Sequence, residues 1–109
     1  NKKEFIEFMR KIHKKDQIIA AYGASTKGNT IIQYYGLDRK NIPVVVDVNP
    51  EKIGRFLVKS GIPIVDEIPE CDYLWILPYA FTDYFKAKEK TFLKNGGKFL
   101  VSTPKLKVL

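Results

Sequence analysis

At 109 residues and 12.6 kDa the chain has the length of one domain, enough for a single core and too little for a multidomain machine. Apolar residues make up 45% and charged residues 28%, interspersed along the chain, which excludes a disordered tail. Lys and Arg at 19 against Asp and Glu at 12 give a net charge of +7, a balance that favours phosphate-bearing partners at long range.

The first predicted element is an amphipathic helix over residues 3 to 15, with Phe5, Phe8, Met9 and Ile12 on one face and charges on the other. Its basic end, Arg10 to Lys15, reads as a solvated face; no groove-reading motif accompanies it, so nucleic acid is not an expected partner. His13 beside that face has no acid or nucleophile near it in sequence and reads as a surface histidine. Gln17 to Tyr22 is an apolar run with the look of a strand buried on both faces, ended by Gly23. After a glycine turn, Asn29 to Tyr35 returns to helical spacing and stops at Gly36.

Pro43 to Asp47 is a second, β-branched strand. Asn49-Pro50 then opens a short helical turn through Ile53. Ile62 to Val65 and Tyr73 to Leu77 are further strands, the second stopped by Pro78 and holding Trp75 as a core residue. Helical spacing reappears from Thr82 to Leu93, and Lys98 to Val101 is the last strand. Strands alternating with helices at this pitch predict an α/β fold. It is a small Rossmann-like three-layer domain with a mainly parallel sheet of about five strands and an N-terminal amphipathic helix, occupying 1–109 as one unit.

In such a sheet ligands bind at the carboxyl ends of the strands where the order of connection reverses. That points to residues 23 to 30, Asp47 to Asn49 and Pro78 to Thr82. In the first loop, Gly23, Ala24, Ser25, Thr26, Lys27, Gly28, Asn29 and Thr30 combine small residues, a helix N-terminus and a cation, the ingredients of a phosphate cradle. The Gly-x4-Gly spacing is that of a P-loop, but Asn29 stands where the P-loop lysine belongs, which argues against an NTPase. Asp47 ends the second strand at the place from which an acid bonds a ribose hydroxyl, yet the middle glycine of a dinucleotide loop is missing. Two readings stay open: a nucleotide cradle, or glycines that serve only turn and packing while Asp47 caps the following turn. Tyr79, Phe81 and Tyr84 either stack on a ligand or close the core, and Asp66, Glu67, Glu70 and Asp72 read as solvated acids. One cysteine, Cys71, and one histidine allow neither an internal disulfide nor a zinc site, and no Ser-His-Asp or Cys-His set can be assembled. A reducing, cytoplasmic setting fits, and no apolar run approaches the roughly 18 residues of a membrane span.

The string Tyr22 to Thr30, followed by Asp47-Val48-Asn49-Pro50-Glu51-Lys52-Ile53-Gly54-Arg55, Gly61-Ile62-Pro63-Ile64, Leu77-Pro78 and Gly96-Gly97-Lys98-Phe99, resembles the C-terminal domain of SAM-dependent C-methyltransferases acting on nucleotide-activated deoxysugars. The likeness runs from about residue 22 to residue 104. It implies that the chain, which starts at Asn1 rather than Met, is the C-terminal fragment of a longer methyltransferase. The parent would carry a cysteine-rich zinc domain and a SAM-binding catalytic domain upstream, so that S-adenosylmethionine and the catalytic base lie outside this fragment. The fragment would help to hold the sugar nucleotide, with Gly23, Ala24, Ser25, Lys27, Gly28, Asn29, Thr30, Asp47, Asn49, Pro78 and Tyr79 as its substrate-binding candidates. Members often have Leu-Pro-Trp followed by a polar residue where Tyr79-Ala80 stands here, and a Pro-Gly pair that Leu57 to Ser60 lacks. A free-standing NAD-type or CoA-type nucleotide module, and a packing or homodimerising domain using helix 3 to 15, are the alternatives.

Overall fold

The computed structural model describes residues 2–78, 82–102 and 106–109. Helix α1 (Lys2–Lys14) places Phe5, Met9 and Ile12 inward at successive helical turns, with Glu4 in its first turn and Lys11, His13 and Lys14 in its last, the polarity that the helix dipole favours. Arg10, Lys11, His13, Lys14 and Lys15 are exposed, as a solvated face requires. Strand β1 (Ile19–Tyr22) is buried along its whole length. Helix α2 (Thr26–Tyr34), β2 (Val45–Val46), β3 (Ile64–Val65) and β4 (Tyr73–Ile76) follow, then α3 (Thr82–Lys88), α4 (Lys90–Lys94), β5 (Lys98–Val101) and β6 (Lys107–Val108).

The strands form a six-stranded sheet in the order β3-β2-β1-β4-β5-β6, parallel except for the β5–β6 pair. Tyr22 stands in register with Val46 on one side and Ile76 on the other, so β1 is central and the connection order reverses between β1 and β4. Because side chains alternate across a strand, each strand feeds two cores. Ile19, Ala21, Val45, Ile64, Trp75 and Leu100 face α1 and α2. Ala20, Tyr22, Val46, Leu74, Ile76, Phe99 and Val101 face the opposite side, where Phe85, Phe92 and Leu93 of α3 and α4 pack. Trp75 is fully buried, stacks on Tyr35 at 5.9 Å and donates its indole N–H to Ser102 at 3.2 Å. This is a small Rossmann-like α/β/α domain.

Three details differ from the expected layout. Helix α2 begins at Thr26 rather than Asn29, because Ser25 in extended backbone accepts a hydrogen bond from the Gly28 N–H and caps the helix a turn earlier. The expected helix 82–93 is broken at Glu89, whose backbone leaves the helical region while its carboxylate accepts the Tyr22 hydroxyl at 2.8 Å. And β6 adds a sixth strand, antiparallel to β5, in a sequence of alternating charge and apolar residues too short to show a period.

The connection from β2 to β3 carries no helix. Asn49 opens a single turn, its carbonyl accepting from Lys52 and Ile53, and the chain then doubles back as a hairpin in which Gly54 and Leu57 donate to Ile64 and Ile62. The connection from β3 to β4 over residues 66–72 is also without a helix and crosses the sheet as an extended loop.

Candidate functional site

The carboxyl ends of β1, β2 and β4 come together at the point where the connection order reverses. Gly23 leaves β1 with φ +97, and its N–H donates to the Val46 carbonyl at 2.8 Å, so the chain turns while still paired to β2. A methyl group at Gly23 would lie 2.6 Å from the Pro78 ring, and one at Gly28 would lie 2.8 Å from the Leu77 side chain. Both glycines are therefore needed for the loop and α2 to close on the end of β4. Asp47 accepts the Ala24 N–H at 2.7 Å with one carboxylate oxygen and the Asn49 N–H at 2.9 Å with the other. Asn49 in turn accepts from the Glu51 N–H at 3.0 Å, and Thr30 donates its hydroxyl to the Thr26 carbonyl at 2.9 Å. The packing role of the glycines and the capping role of Asp47, one of the two readings open from sequence, are thus both present.

What remains unused in this loop is a set of donors. Ala24 N–H is taken by Asp47 and Gly28 N–H by Ser25, but the N–H groups of Ser25, Thr26 and Lys27 receive no partner among the described residues. They lie at the N-terminus of α2, where the helix dipole is positive. Lys27 is exposed on the first turn. Asn29, in the first turn of α2, buries its side-chain oxygen, which accepts no hydrogen bond from any described residue.

A second cation joins the loop. Lys52 reaches across from the Asn49 turn and donates to the Ala24 carbonyl at 2.9 Å, which occupies one of the three protons of its ammonium group. Lys52 is absent from the sequence candidates. The available signal was the Asn49-Pro50 turn, which doubles the chain back toward β1 and carries the residue three positions on to the loop. Tyr79 and Phe81 lie outside the described residues, and Tyr84 is 61% exposed, resting edge-on against Phe85 at 5.3 Å. Among the described residues no helix is long and apolar enough to cross a membrane, and no group of three or more His, Cys, Asp or Glu could hold a metal ion.

Residues 1–104 match the family model of the C-methyltransferase C-terminal domain. The chain belongs to that family. It is 32% identical over 109 residues to the C-methyltransferase NovU of Streptomyces niveus, a match that covers 94% of this chain and 26% of NovU. The chain thus spans about a quarter of the length of the curated relative it matches.

For a C-methyltransferase C-terminal domain the methyl donor is the first group to test against the site. The residues here do not fit S-adenosylmethionine. An acid at the end of β2 would hold the ribose hydroxyls of such a nucleoside, but both oxygens of Asp47 are directed at backbone N–H groups. What the site offers is narrower: backbone donors and two ammonium groups for an anion, and one buried acceptor for a hydroxyl.

Proposed function

We propose that this domain is the accessory substrate-binding part of a SAM-dependent C-methyltransferase acting on a nucleotide-activated deoxysugar. The methyl donor and catalytic base lie in an upstream domain of the same polypeptide, and the domain works in the cytoplasm. The observation that carries the reading is the open N-terminus of α2. The Ser25, Thr26 and Lys27 N–H groups have no partner there among the described residues, with Lys27 and Lys52 beside them. A diphosphate accepts from such donors, and charge-assisted bonds of this kind are worth about 1.5–3 kcal/mol each. Asn29 then accepts a hydroxyl of the ribose or the deoxysugar. The network of Asp47, Ala24 and Lys52 holds the loop in the binding shape before the ligand arrives, so ordering costs little. The contribution to methyl transfer is alignment: fixing the anionic end of the substrate leaves the sugar carbon placed for the upstream domain.

A titration of the domain with a nucleoside diphosphate deoxysugar, followed by amide NMR, tests this. The Ser25, Thr26 and Lys27 signals should shift and saturate at millimolar ligand. Lys27→Ala and Lys52→Met should each raise Kd about tenfold, the equivalent of ~1.4 kcal/mol. An unchanged spectrum in residues 23 to 30 overturns the reading. Shifts with NAD or coenzyme A in place of the sugar nucleotide would transfer the loop to a different nucleotide class.

A further inference from the structure

Two faces of α2 are accounted for inside the domain. Gly28 and Ile32 turn into the core, and Gln33 donates to the Val58 carbonyl at 3.2 Å, which ties the next face to the hairpin that follows β2. On the third face Ile31 and Tyr34 stand one turn apart and turn toward α1, and a groove of ≈ 820 Å³ opens between the two helices. Its floor is apolar: Ile6 of α1 and Ile31 of α2 are half-buried there and pack against the core. Tyr34 stands 69% exposed on the wall, more than any other large apolar side chain among the described residues.

The rim is cationic. Lys2, Lys3 and Arg10 stand along it against a single acid, Glu7. The Lys2 ammonium lies 5.4 Å from the centre of the Tyr34 ring, close enough to hold that ring at the groove's edge. Neither Lys2 nor Arg10 meets a carboxylate among the described residues. Tyrosine and arginine over an apolar floor are the composition of an interface centre, whereas a solvated helix pair is dressed in Lys and Glu.

The chain itself supplies the occupant. Helix α1 is the first element, the family is that of a C-terminal domain, and the match covers 26% of NovU, so in a polypeptide of that length most of the protein precedes α1. A domain tethered there meets the groove at high effective concentration, and any partner from solution must compete with it. We propose that the α1–α2 groove seats the upstream domain of the same polypeptide. The seated segment lays an apolar side chain over Ile6 and Ile31 and brings Asp or Glu to Lys2 and Arg10. Lys27 stands one turn ahead of Ile31 on the same face of α2, so a domain seated here ends beside the loop at the helix N-terminus. The inference rests on the upstream domain of the proposed function and not on the ligand of that loop.

Nitration of the full-length polypeptide with tetranitromethane, mapped by peptide mass spectrometry, tests it without any substitution. Each tyrosine's rate is divided by its rate in a proteolytic digest of the same chain. Tyr84, 61% exposed on α3 at the other side of the sheet, is the internal reference. Tyr34 should react several-fold more slowly than Tyr84 at every protein concentration. Arg10→Glu sets a carboxylate against those of the seated segment and should bring the two rates together; if that variant does not fold, the comparison in the unsubstituted chain decides alone. Equal rates in the unsubstituted chain, or protection unchanged in folded Arg10→Glu, overturn the proposal. Protection that disappears on dilution to nanomolar protein assigns the groove to a second copy and also overturns it. A freely nitrated Tyr34 in a chain that carries an upstream domain leaves the phosphate reading of the loop standing, since that is decided by the Ser25 to Lys27 signals; a chain with no such domain overturns both.

Discussion

Gly23 and Gly36 both have positive φ, but only Gly23 meets the end of β4, and the difference is measurable. At Gly23 a side chain would be wrong twice: the backbone is at φ +97, and Pro78 occupies the space. Gly36 shares only the first condition, with φ +70 and nothing within 4 Å of the added methyl. Gly36→Ala should therefore lose only the left-handed cost, about 1–2 kcal/mol, whereas Gly23→Ala should add about 1–3 kcal/mol of overpacking. Urea denaturation of the two variants measures the difference; equal losses would mean that Pro78 moves aside freely. The glycines of this loop were legible in the sequence because turn and helix-start chemistry is local. Lys52 was not: the Asn49-Pro50 turn shows that the chain doubles back, but the hydrogen bond of Lys52 to Ala24 spans the chain between two strands, and the turn alone does not mark that lysine as its donor.

At the level of the element, α1 is the clearest agreement between sequence and structure. The spacing of Phe5, Met9 and Ile12 fixes one face, and that face finds Trp75 and Tyr35, whose rings lie 4.2 and 5.2 Å from the Phe5 ring. Phe5→Ala removes a fully buried ring and should cost about 3–5 kcal/mol, seen as a lower denaturation midpoint; a loss under about 1 kcal/mol would mean that α1 is not part of the cooperative core. The α3–α4 segment shows the opposite case. Its apolar residues run through at helical spacing, which predicts one helix, yet the chain breaks at Glu89, where a bond to Tyr22 from 67 residues away holds the carboxylate. A local period cannot report a constraint set by a distant partner. The same holds for β6, which has only two residues and takes its strand geometry from β5.

Across the whole molecule, the doubly wound plan was readable from alternation alone, since βαβ chirality leaves few arrangements. The packing of Tyr22 and Cys71 on the α3/α4 side was not, because it depends on which loops cross where. One consequence concerns alkaline pH. Burial, followed by the neighbouring Asp72, pushes the Cys71 thiol up to about 11 from an ordinary 9.0. Burial, and then the hydrogen bond and charge of Glu89, push the Tyr22 phenol well above its ordinary 10.0. In both cases the folded protein holds its proton more tightly than the unfolded chain. The stabilisation is complete below the ordinary values and is lost progressively as pH rises from them toward the raised values of the folded protein. Stability should thus begin to fall near pH 9, and Cys71→Ala should delay the fall until Tyr22 alone drives it, near pH 10. Denaturation midpoints measured across that range would show the delay; superimposable curves would mean that the thiol titrates alike in both states.

The two outer strands limit pairing between sheet edges of different molecules. An open sheet ordinarily exposes a row of unpaired amides and carbonyls along each border, and such a border recruits any strand that drifts past. Here the β3 border is paired by the returning hairpin, through Gly54, Arg55 and Leu57. The β5 border is covered by a strand of two residues that runs against the rest and carries Lys107. That last strand shields Lys98–Val101, a segment whose three final residues are buried and whose composition would suit cross-strand stacking between molecules. A feature that adds almost nothing to the core therefore governs colloidal behaviour: removing β6 would leave the fold intact and its border sticky.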